Sequence, residues 1–444
     1  MERIDKKKWK YAHIFFQCVA VASRPLRFDE LAQFLSFDFG AESTPTFQAD
    51  WQPEDPARIV LSMCSSLLAV VQPEGYDSPI AQFAHYSVQE YLMSARLADT
   101  QDIISRFHIS MTPAHTIVAQ ACLGLLLHLD ETITTDSLKN FPLTEYAAQY
   151  WVDHARIEDV SSKVQDGMKR LFDPGKCQFS VWVWLYDLEY DQHSYDRPGR
   201  SERPGKFRAT PLHYAAYCGM HDVAKFLIVE HSQDVNARGF DLKETPLHVA
   251  SRRRHANIAQ LLLEHGADGN AQNDHEKTPL ILSSANGDVE VTRILLERGA
   301  DTNILGHGTS PLMSASTEGH AEVVRLLLKH GANANAQVKD TTIPLQIAVL
   351  FGHVGTTRVL LEHGLDANAR DAYGATLLHL ASSGSSRRAN LEDRLDLVRL
   401  LVQYGSDIHA QDNNGRTPFM LAKLSRFPEI MQLLLEYGAE DHRK

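Results

Sequence analysis

The stretch FAHYSVQEYLMS, residues 83–94, sets His85, Ser87 and Glu90 close together. These are the residue types of a hydrolase triad, in which a serine attacks, an imidazole takes its proton and a carboxylate orients the ring. Such chemistry also needs an oxyanion hole, and its serine often sits in a GxSxG turn. No GxSxG occurs anywhere in the chain. The spacing S-x-x-E ahead of the apolar run YLMSARLA fits a capping box instead, with Ser87 accepting the N–H three residues on and Glu90 reaching back. The sequence thus predicts a helix beginning at Ser87, and no catalytic residue.

Other reactive patterns are as sparse. Cys18, Cys64, Cys122, Cys177 and Cys218 form no CxxC pair, so neither a cysteine metal site nor a redox pair is expected. Their odd number and wide scatter suit buried thiols in a reducing compartment. A phosphate-cradling GxxxxGK[ST] loop is missing; PGKC at 174–177 lacks the first Gly and the closing Ser or Thr. Asp187, Glu189, Asp191, His193 and Asp196 gather acids, but a calcium loop counted from Asp187 would need Gly where Gln192 stands. That stretch reads as a solvated acidic linker. No metal and no cofactor is expected.

The formal charge of −12 argues against a protein that coats nucleic acid. Residues 1–110 carry 10 Lys and Arg against 14 Asp and Glu, the wrong sign for a DNA reader. RPGRSERPGKFR, residues 197–208, would suit nucleic acid or a nuclear signal, and reads more simply as a flexible linker. The start MERIDKKKWK lacks the apolar core of a signal peptide. No run approaches the roughly 20 apolar residues that span a bilayer. A cytoplasmic protein is expected, with the nucleus as the other compartment.

The elements come in two halves. In the first, residues 7–23 and RPLRFDELAQFLSF read as helices, the second capped by Asp29, and PARIVLSMCSSLL (56–68) as a third. LLAVVQ and IAQFAHYS, joined by PEGYDSP, read as a β-hairpin. Three helices, a hairpin and a helix is winged-helix order.

The second half repeats. TPLH starts at Thr210 and Thr245, and related tetrads start at Thr278, Ser310, Ile343, Thr376 and Thr417. Their spacings are 35, 33, 32, 33, 33 and 41 residues. Running in step are GAD-like triplets at Gly266, Gly299, Gly331, Gly364, Gly405 and Gly438, each after a leucine-rich helix such as AQLLLEHG. In each tetrad Thr or Ser can cap a helix, with Pro at its first position. His213, His248 and His379 are expected to tie neighbouring turns by hydrogen bonds; they lack metal-ligand spacing. The later Gly supplies a left-handed cap, and each unit buries its apolar face only by stacking on a neighbour.

This pattern resembles the ankyrin repeat over residues 205–441, about seven units. The resemblance implies an α-solenoid that binds protein partners at hairpin tips and at the concave ends of the first helices. The tips are Lys206, Phe207, Asp241, Leu242, His275, Lys277, His307, Asp340, Tyr373, Asn413 and Arg416. The helix ends are Tyr217, Arg252, Arg253, Asn286, Glu318, Leu350 and Phe351. Leu350 and Phe351 are large apolar groups where solvent would select polar ones. SRRRH, 251–255, is a basic spot that replaces the helix-ending Gly with Arg254, and reads either as a site for an acidic or phosphorylated partner or as a solvated face. The sixth unit is longer than its neighbours by eight residues, and residues 382–393 are expected to bulge between its two helices.

SRPLRFDELAQFLSF, FAHYSVQEYLMS, ACLGLLLHL and YAAQYWVDHA resemble the block after the NACHT nucleotidase in fungal NLR-like (STAND) proteins, which holds a winged-helix unit named after a GPI inositol-deacylase. The resemblance covers residues 1–175 and implies no lipase activity. Trp182 and Trp184 are expected to pack at the junction. The reading is mainly α: a winged-helix-like domain (1–110), a helical domain (111–190), a linker (191–204) and ankyrin repeats (205–441). It describes a non-enzymatic adaptor whose array binds protein as a sensor or scaffold in NLR-like signalling, with a NACHT-type partner in trans; the alternatives are the C-terminal piece of a NACHT P-loop NTPase and, as a minor one, a DNA-binding winged-helix protein.

Overall fold

The computed structural model describes residues 8–39, 44–48, 55–64, 67–72, 78–100, 103–157, 159–186, 209–335, 343–384 and 389–440. Contacts divide the chain into two compact units, the first Met1–Phe207 with Lys225–Ser232, the second Arg208–Ala224 with Gln233–Lys444. The architecture is mainly α. The acidic stretch from Asp187 to Asp196 and the linker to 204 lie outside the described residues.

The first unit opens with α1 (Trp9–Val21), β1 (Leu26–Arg27) and α2 (Phe28–Gln33). A short antiparallel pair follows, β2 (Phe37–Asp38) and β3 (Thr46–Phe47), then α3 (Pro56–Cys64). The hairpin β4 (Leu68–Val71) and β5 (Ile80–Phe83) completes a three-stranded antiparallel sheet of order β1-β5-β4, with Ala81 between Leu26 and Val70. α1 buries Ala12, Phe15, Phe16 and Cys18, each fully inaccessible. Burying one such aromatic contributes roughly 1.5–3 kcal/mol.

Two expected caps are corrected here. Helix α2 is entered from Arg27, not Asp29: the Glu30 carboxylate accepts the Arg27 N–H at 2.8 Å, and Asp29 sits inside the first turn. The buried Glu30 also pairs with Arg24, which fixes it as the better acceptor. Helix α4 (Tyr86–Leu92) starts one residue before Ser87, and its cap is His85, whose Nδ1 accepts the Ser87 N–H at 3.2 Å. Glu90 is exposed, and the expected Ser87–Glu90 box does not form. An extended His85 reaches the free amide of the first turn, so the imidazole does what the serine was expected to do.

After α5 (Ala95–Ala98), α6 (Met111–His128) forms the centre of the helical part. It is apolar nearly all round, and Ala114, Val118, Cys122 and Leu125 are wholly buried. It packs on α1, α7 (Thr144–Ala155), α8 (Val160–Phe172) and α9 (Gln178–Leu185), as a helix without a polar face must. Trp182 belongs to this core: it meets Trp151 edge-on at 5.6 Å and Phe172 at 5.4 Å, and its indole N–H donates to Ala148 O at 3.0 Å.

The second half is a run of helix pairs. The first helices are α10 (Pro211–Cys218), α12 (Pro246–Arg253), α14 (Pro279–Asn286), α16 (Pro311–Glu318), α18 (Pro344–Phe351), α20 (Leu377–Ser382) and α22 (Pro418–Leu424). The second are α11 (His221–Val229), α13 (Ala256–Glu264), α15 (Val289–Glu297), α17 (Ala321–Lys329), α19 (Val354–Glu362), α21 (Leu391–Gln403) and α23 (Pro428–Glu436). First helices stack on first helices from α10 to α22, and second on second from α13 to α23. From α13 onward each second helix fully buries at least one leucine, among them Leu262, Leu295, Leu327, Leu360, Leu401 and Leu434. The Gly that follows each of these helices has φ between 81° and 100°, as a left-handed cap requires. In the first unit Ser232 takes that position at φ 49°.

The insertion also differs from expectation. Asn390 caps the Asp393 N–H at 2.8 Å, so Leu391, Glu392 and Asp393 form the first turn of α21 rather than a bulge. Two acids in that turn complement the helix dipole. Residues 385–388 lie outside the described residues.

Candidate functional site

Two histidine ladders hold the repeats in register. In the first, Nδ1 of His213, His248 and His379 accepts the N–H of Thr210, Thr245 and Thr376, at 3.1–3.2 Å. That leaves Nε2 to donate forward, to Glu244 O, Lys277 O and Arg416 O at 2.8–2.9 Å. Both ring nitrogens are therefore used, as the tetrad suggested. Burial pushes His213 and His248 down to about 4, against the pull of the accepting carbonyls. In the fifth repeat Gln346 replaces the histidine and Ile343 replaces the Thr; the Gln346 Oε1 takes the Ile343 N–H at 3.1 Å.

The second ladder was missed in the sequence. His255, His320 and His353 donate from Nε2 backward, to Tyr217 O, Ala285 O and Thr317 O, at 3.2, 3.1 and 2.9 Å. Each ring lies against the residue that ends the preceding first helix: Gly219, Gly287 and Gly319. A Cβ on those glycines would come within 2.7, 2.5 and 2.5 Å of the imidazole. The dipeptide GH at 319–320 and 352–353 was the available signal.

Two first helices carry arginine in the glycine position, while Gly352, which meets no ring from the next repeat, is seated against Ala389, whose Cβ would lie 2.6 Å from an added Cβ. Arg254 ends α12 at φ 64°, and the next repeat carries Asp288 in the histidine position. Arg426 stands at the equivalent place in the last repeat at φ 59°. A left-handed non-glycine costs about 1–2 kcal/mol, so these arginines are tolerated, not favoured, by the backbone.

The first-helix ends form one row. Tyr217 is half-buried, Arg252 and Arg253 are exposed, Asn286 is half-buried and Glu318 is exposed. Leu350 and Phe351 are half-buried, with the Phe351 ring tilted against His353 at 6.3 Å, so they are less open than the sequence suggested. Leu424, in the same register as Leu350, is 68% exposed and was missed. Within the row the Arg253 guanidinium lies over the Tyr217 ring at 3.6 Å. Arg252 pairs with Glu244, a nearly inaccessible carboxylate whose pKa is raised by burial and opposed by that guanidinium. Asn286 donates to Arg252 O at 2.8 Å and accepts on its own carbonyl from Arg254.

The tips are knitted to one another. Asp241 is exposed and Leu242 half-buried, and Leu242 O accepts the Asp274 N–H at 2.9 Å. His275 and His307 are exposed on consecutive tips, their rings 5.6 Å apart. Lys277 and Arg416 are half-buried and offer carbonyls to the first ladder; Arg416 also pairs with Asp412 at 2.7 Å. Asn413 donates its N–H to Tyr373 O at 3.0 Å, and the Tyr373 ring is 73% exposed. Leu305, 45% exposed, is a further tip residue absent from the expected set. Lys206, Phe207 and Asp340 lie outside the described residues. Among the described residues, no group of three or more His, Cys, Asp or Glu could hold a metal ion, and no helix is long and apolar enough to cross a membrane.

Comparison with known proteins agrees with this geometry. The family described as ankyrin repeats (3 copies) matches residues 184–273 and 269–340, and ankyrin repeats (many copies) matches 351–392 and 386–435. Azaphilone pigments biosynthesis cluster protein L of Monascus ruber is 30% identical over 260 residues, 56% of this chain and 53% of that protein. The chain thus spans about half the length of that relative. Alpha-latrocrustotoxin-Lt1a of Latrodectus tredecimguttatus is 41% identical over 64 residues, 14% of this chain and 4% of the toxin. The human ASB11 ankyrin repeat domain aligns at TM-score 0.46 and 28% identity, covering 52% of this chain and 100% of that domain. With its caps, ladders and helix pairs in step with the family matches, the C-terminal part of this chain is an array of ankyrin repeats.

Proposed function

We propose that this chain is a non-enzymatic adaptor whose ankyrin array holds a protein partner on its first-helix ends and hairpin tips. One observation carries the reading. The helix-pair framework recurs from repeat to repeat, with three tetrad histidines and three ring-seat histidines tying it, while the residue at each first-helix end changes, from Arg253 to Asn286 to Glu318 to Phe351. A scaffold that repeats, bearing side chains that vary, is how a solenoid encodes one partner. Exposed Tyr373 and Leu424 add anchors of the kind that dominate interfaces.

For the first unit we propose a winged-helix role like that of the block after a NACHT nucleotidase, with a NACHT-type protein as a partner in trans, in the cytoplasm. Support comes from the order α1, β1, α2, α3, β4, β5 and the three-stranded sheet. The test is capture by cross-linking on the full chain, then titration of the purified partner against Tyr373→Ala and Phe351→Ala. Loss of about tenfold or more in affinity is expected for a hot-spot residue. A partner that binds both variants as it binds the parent chain refutes the array surface as the site.

A further inference from the structure

We propose that the hairpin tips preceding α14 and α16 carry an open site for a divalent transition-metal ion of the zinc class, held by the imidazoles of His275 and His307 with water in the remaining positions. The site stands apart from the adaptor reading: an ion held here neither requires nor refutes a protein partner.

The histidines of the two ladders spend ring nitrogens on backbone groups. His275 and His307 do not. Both are exposed, and among the described residues neither ring makes a hydrogen bond. Their backbones are tied instead: the His275 N–H donates to Asn273 Oδ1 at 3.0 Å and the His307 N–H to Glu276 Oε2 at 3.3 Å. The residues are thus fixed at their tips while the rings keep the broad torsional freedom of an imidazole.

The ring centres stand 5.6 Å apart with planes inclined by 56°. A zinc–imidazole bond of about 2.0–2.1 Å puts each ring centre about 3.2 Å from the ion, so two rings at a tetrahedral angle have centres about 5.2 Å apart. Consecutive tips therefore hold the pair within about 0.5 Å of the spacing that one ion needs. The backbone at His307 is a separate observation. Gly306 and Thr309 exchange N–H···O bonds at 3.0 and 2.9 Å around His307 and Gly308, whose φ values are 48° and 76°. Such a two-residue turn is served best by Asn-Gly, Asp-Gly or Gly-Gly. A histidine there is a bulkier left-handed residue than the turn needs, and strain of this kind gathers at ligand-holding positions. Asp274 is taken by Lys243 at 3.1 Å, so the chain offers two nitrogen ligands and no closed shell. Imidazole donors suit zinc, copper and nickel, not calcium or magnesium.

The experiment titrates zinc(II) alone into the full chain, followed by calorimetry. His275→Asn and His307→Asn should each lower affinity by about tenfold or more, whereas His409→Asn, an exposed histidine on a distant hairpin, should leave it within about twofold. Zinc should also protect His275 and His307, and not His409, from carbethoxylation read by mass spectrometry. Asparagine suits the left-handed turn, circular dichroism checks each fold, and His275→Gln serves if His275→Asn misfolds. The proposal is overturned if the parent chain takes up no more zinc than the chain carrying both substitutions, if His409→Asn weakens binding as much as either tip variant, or if zinc leaves both tip rings as reactive as before.

Discussion

The imidazole of His320 lies on Gly287 of the preceding repeat and donates to Ala285 O at 3.1 Å, so the glycine that ends one helix is also the seat of the next repeat's ring. Two demands meet at one residue: φ of 72° and no Cβ. Gly287→Ala is expected to cost about 2 kcal/mol or more, the left-handed penalty plus displacement of the ring. His320→Ala in that background should recover part of the loss, a positive coupling in a double-mutant cycle. Arg254→Gly, where no ring follows, should change stability by less than about 1 kcal/mol, relief of the backbone being set against loss of the bond to Asn286 O. Denaturant unfolding followed by circular dichroism measures all three; equal effects at Gly287 and Arg254 would refute the ring-seat account.

The first ladder makes the array acid-sensitive. His213 and His248 are neutral in the fold, held at about 4 by burial, and unfolding returns them towards their ordinary 6.5. Between those values the unfolded chain binds more protons, so stability is present above about pH 6.5 and is lost as pH falls towards 4. The slope is at most about 1.4 kcal/mol per pH unit for each histidine. His379 is lowered for the same first cause, burial, and adds in the same direction. His248→Gln, which copies the Gln346 arrangement of the fifth repeat, should keep the bond to the cap N–H and flatten the acid limb of the stability curve. An unchanged slope would place the acid sensitivity elsewhere.

Arg394 closes α20, a first helix that ends without a left-handed residue. Ser383 ends α20 at φ −90°, outside the left-handed region. The Arg394 guanidinium, nearly inaccessible, donates to Ala381 O and Ser383 O and lies over Phe427 at 5.4 Å. Arg394→Ala is expected to destabilise the array by about 2–3 kcal/mol, the range for hydrogen bonds from a charged group. Arg394→Lys should recover less than half, because a point charge cannot span two carbonyls as a planar fork does. Thermal melts of the three chains decide it.

In the first unit a buried chain of polar groups crosses the core. The Ser23 N–H donates to Tyr146 Oη at 3.0 Å, Tyr146 Oη meets His154 Nε2 at 2.7 Å, and His154 Nδ1 meets His115 Nδ1 at 2.8 Å. Burial, then the neighbouring His115, lowers His154 to about 3, so the chain is neutral. Tyr146→Phe strands the Ser23 amide and the His154 nitrogen, and should cost about 1–3 kcal/mol. Trp151 and Trp182, both fully buried in this unit, report the transition by fluorescence. An unshifted midpoint would mean that the hydroxyl contributes nothing.

Much of the fold was legible because it repeats. Thr-Pro caps, left-handed glycines and leucine runs are local signals, and seven phased copies let each correct the others. The His213, His248 and His379 bonds were legible for the same reason. What was misread depended on a single residue's reach. At 85–90 the spacing S-x-x-E was present, yet an extended His85 reached the amide first; at 27–30 Glu30 outcompeted Asp29 because Arg24 already held it in place. At 390–393 a capping Asn turned expected loop into helix.

Phased caps and leucine runs in the sequence determined the mainly α class and the repeat register, and the resemblance to ankyrin repeats supplied the helix ends, because caps and registers follow from bonds made within a few residues and repeated. Tertiary structure alone decided which glycines are required, that Arg253 rests on Tyr217, that Arg252 answers a buried Glu244, and that Leu350 and Phe351 are half-covered while Leu424 is open. The ring seats and the Arg253–Tyr217 stack join residues 33–36 positions apart, and even Arg252 and Glu244, eight apart, meet across a turn, so side chains brought together by folding leave no mark on local spacing.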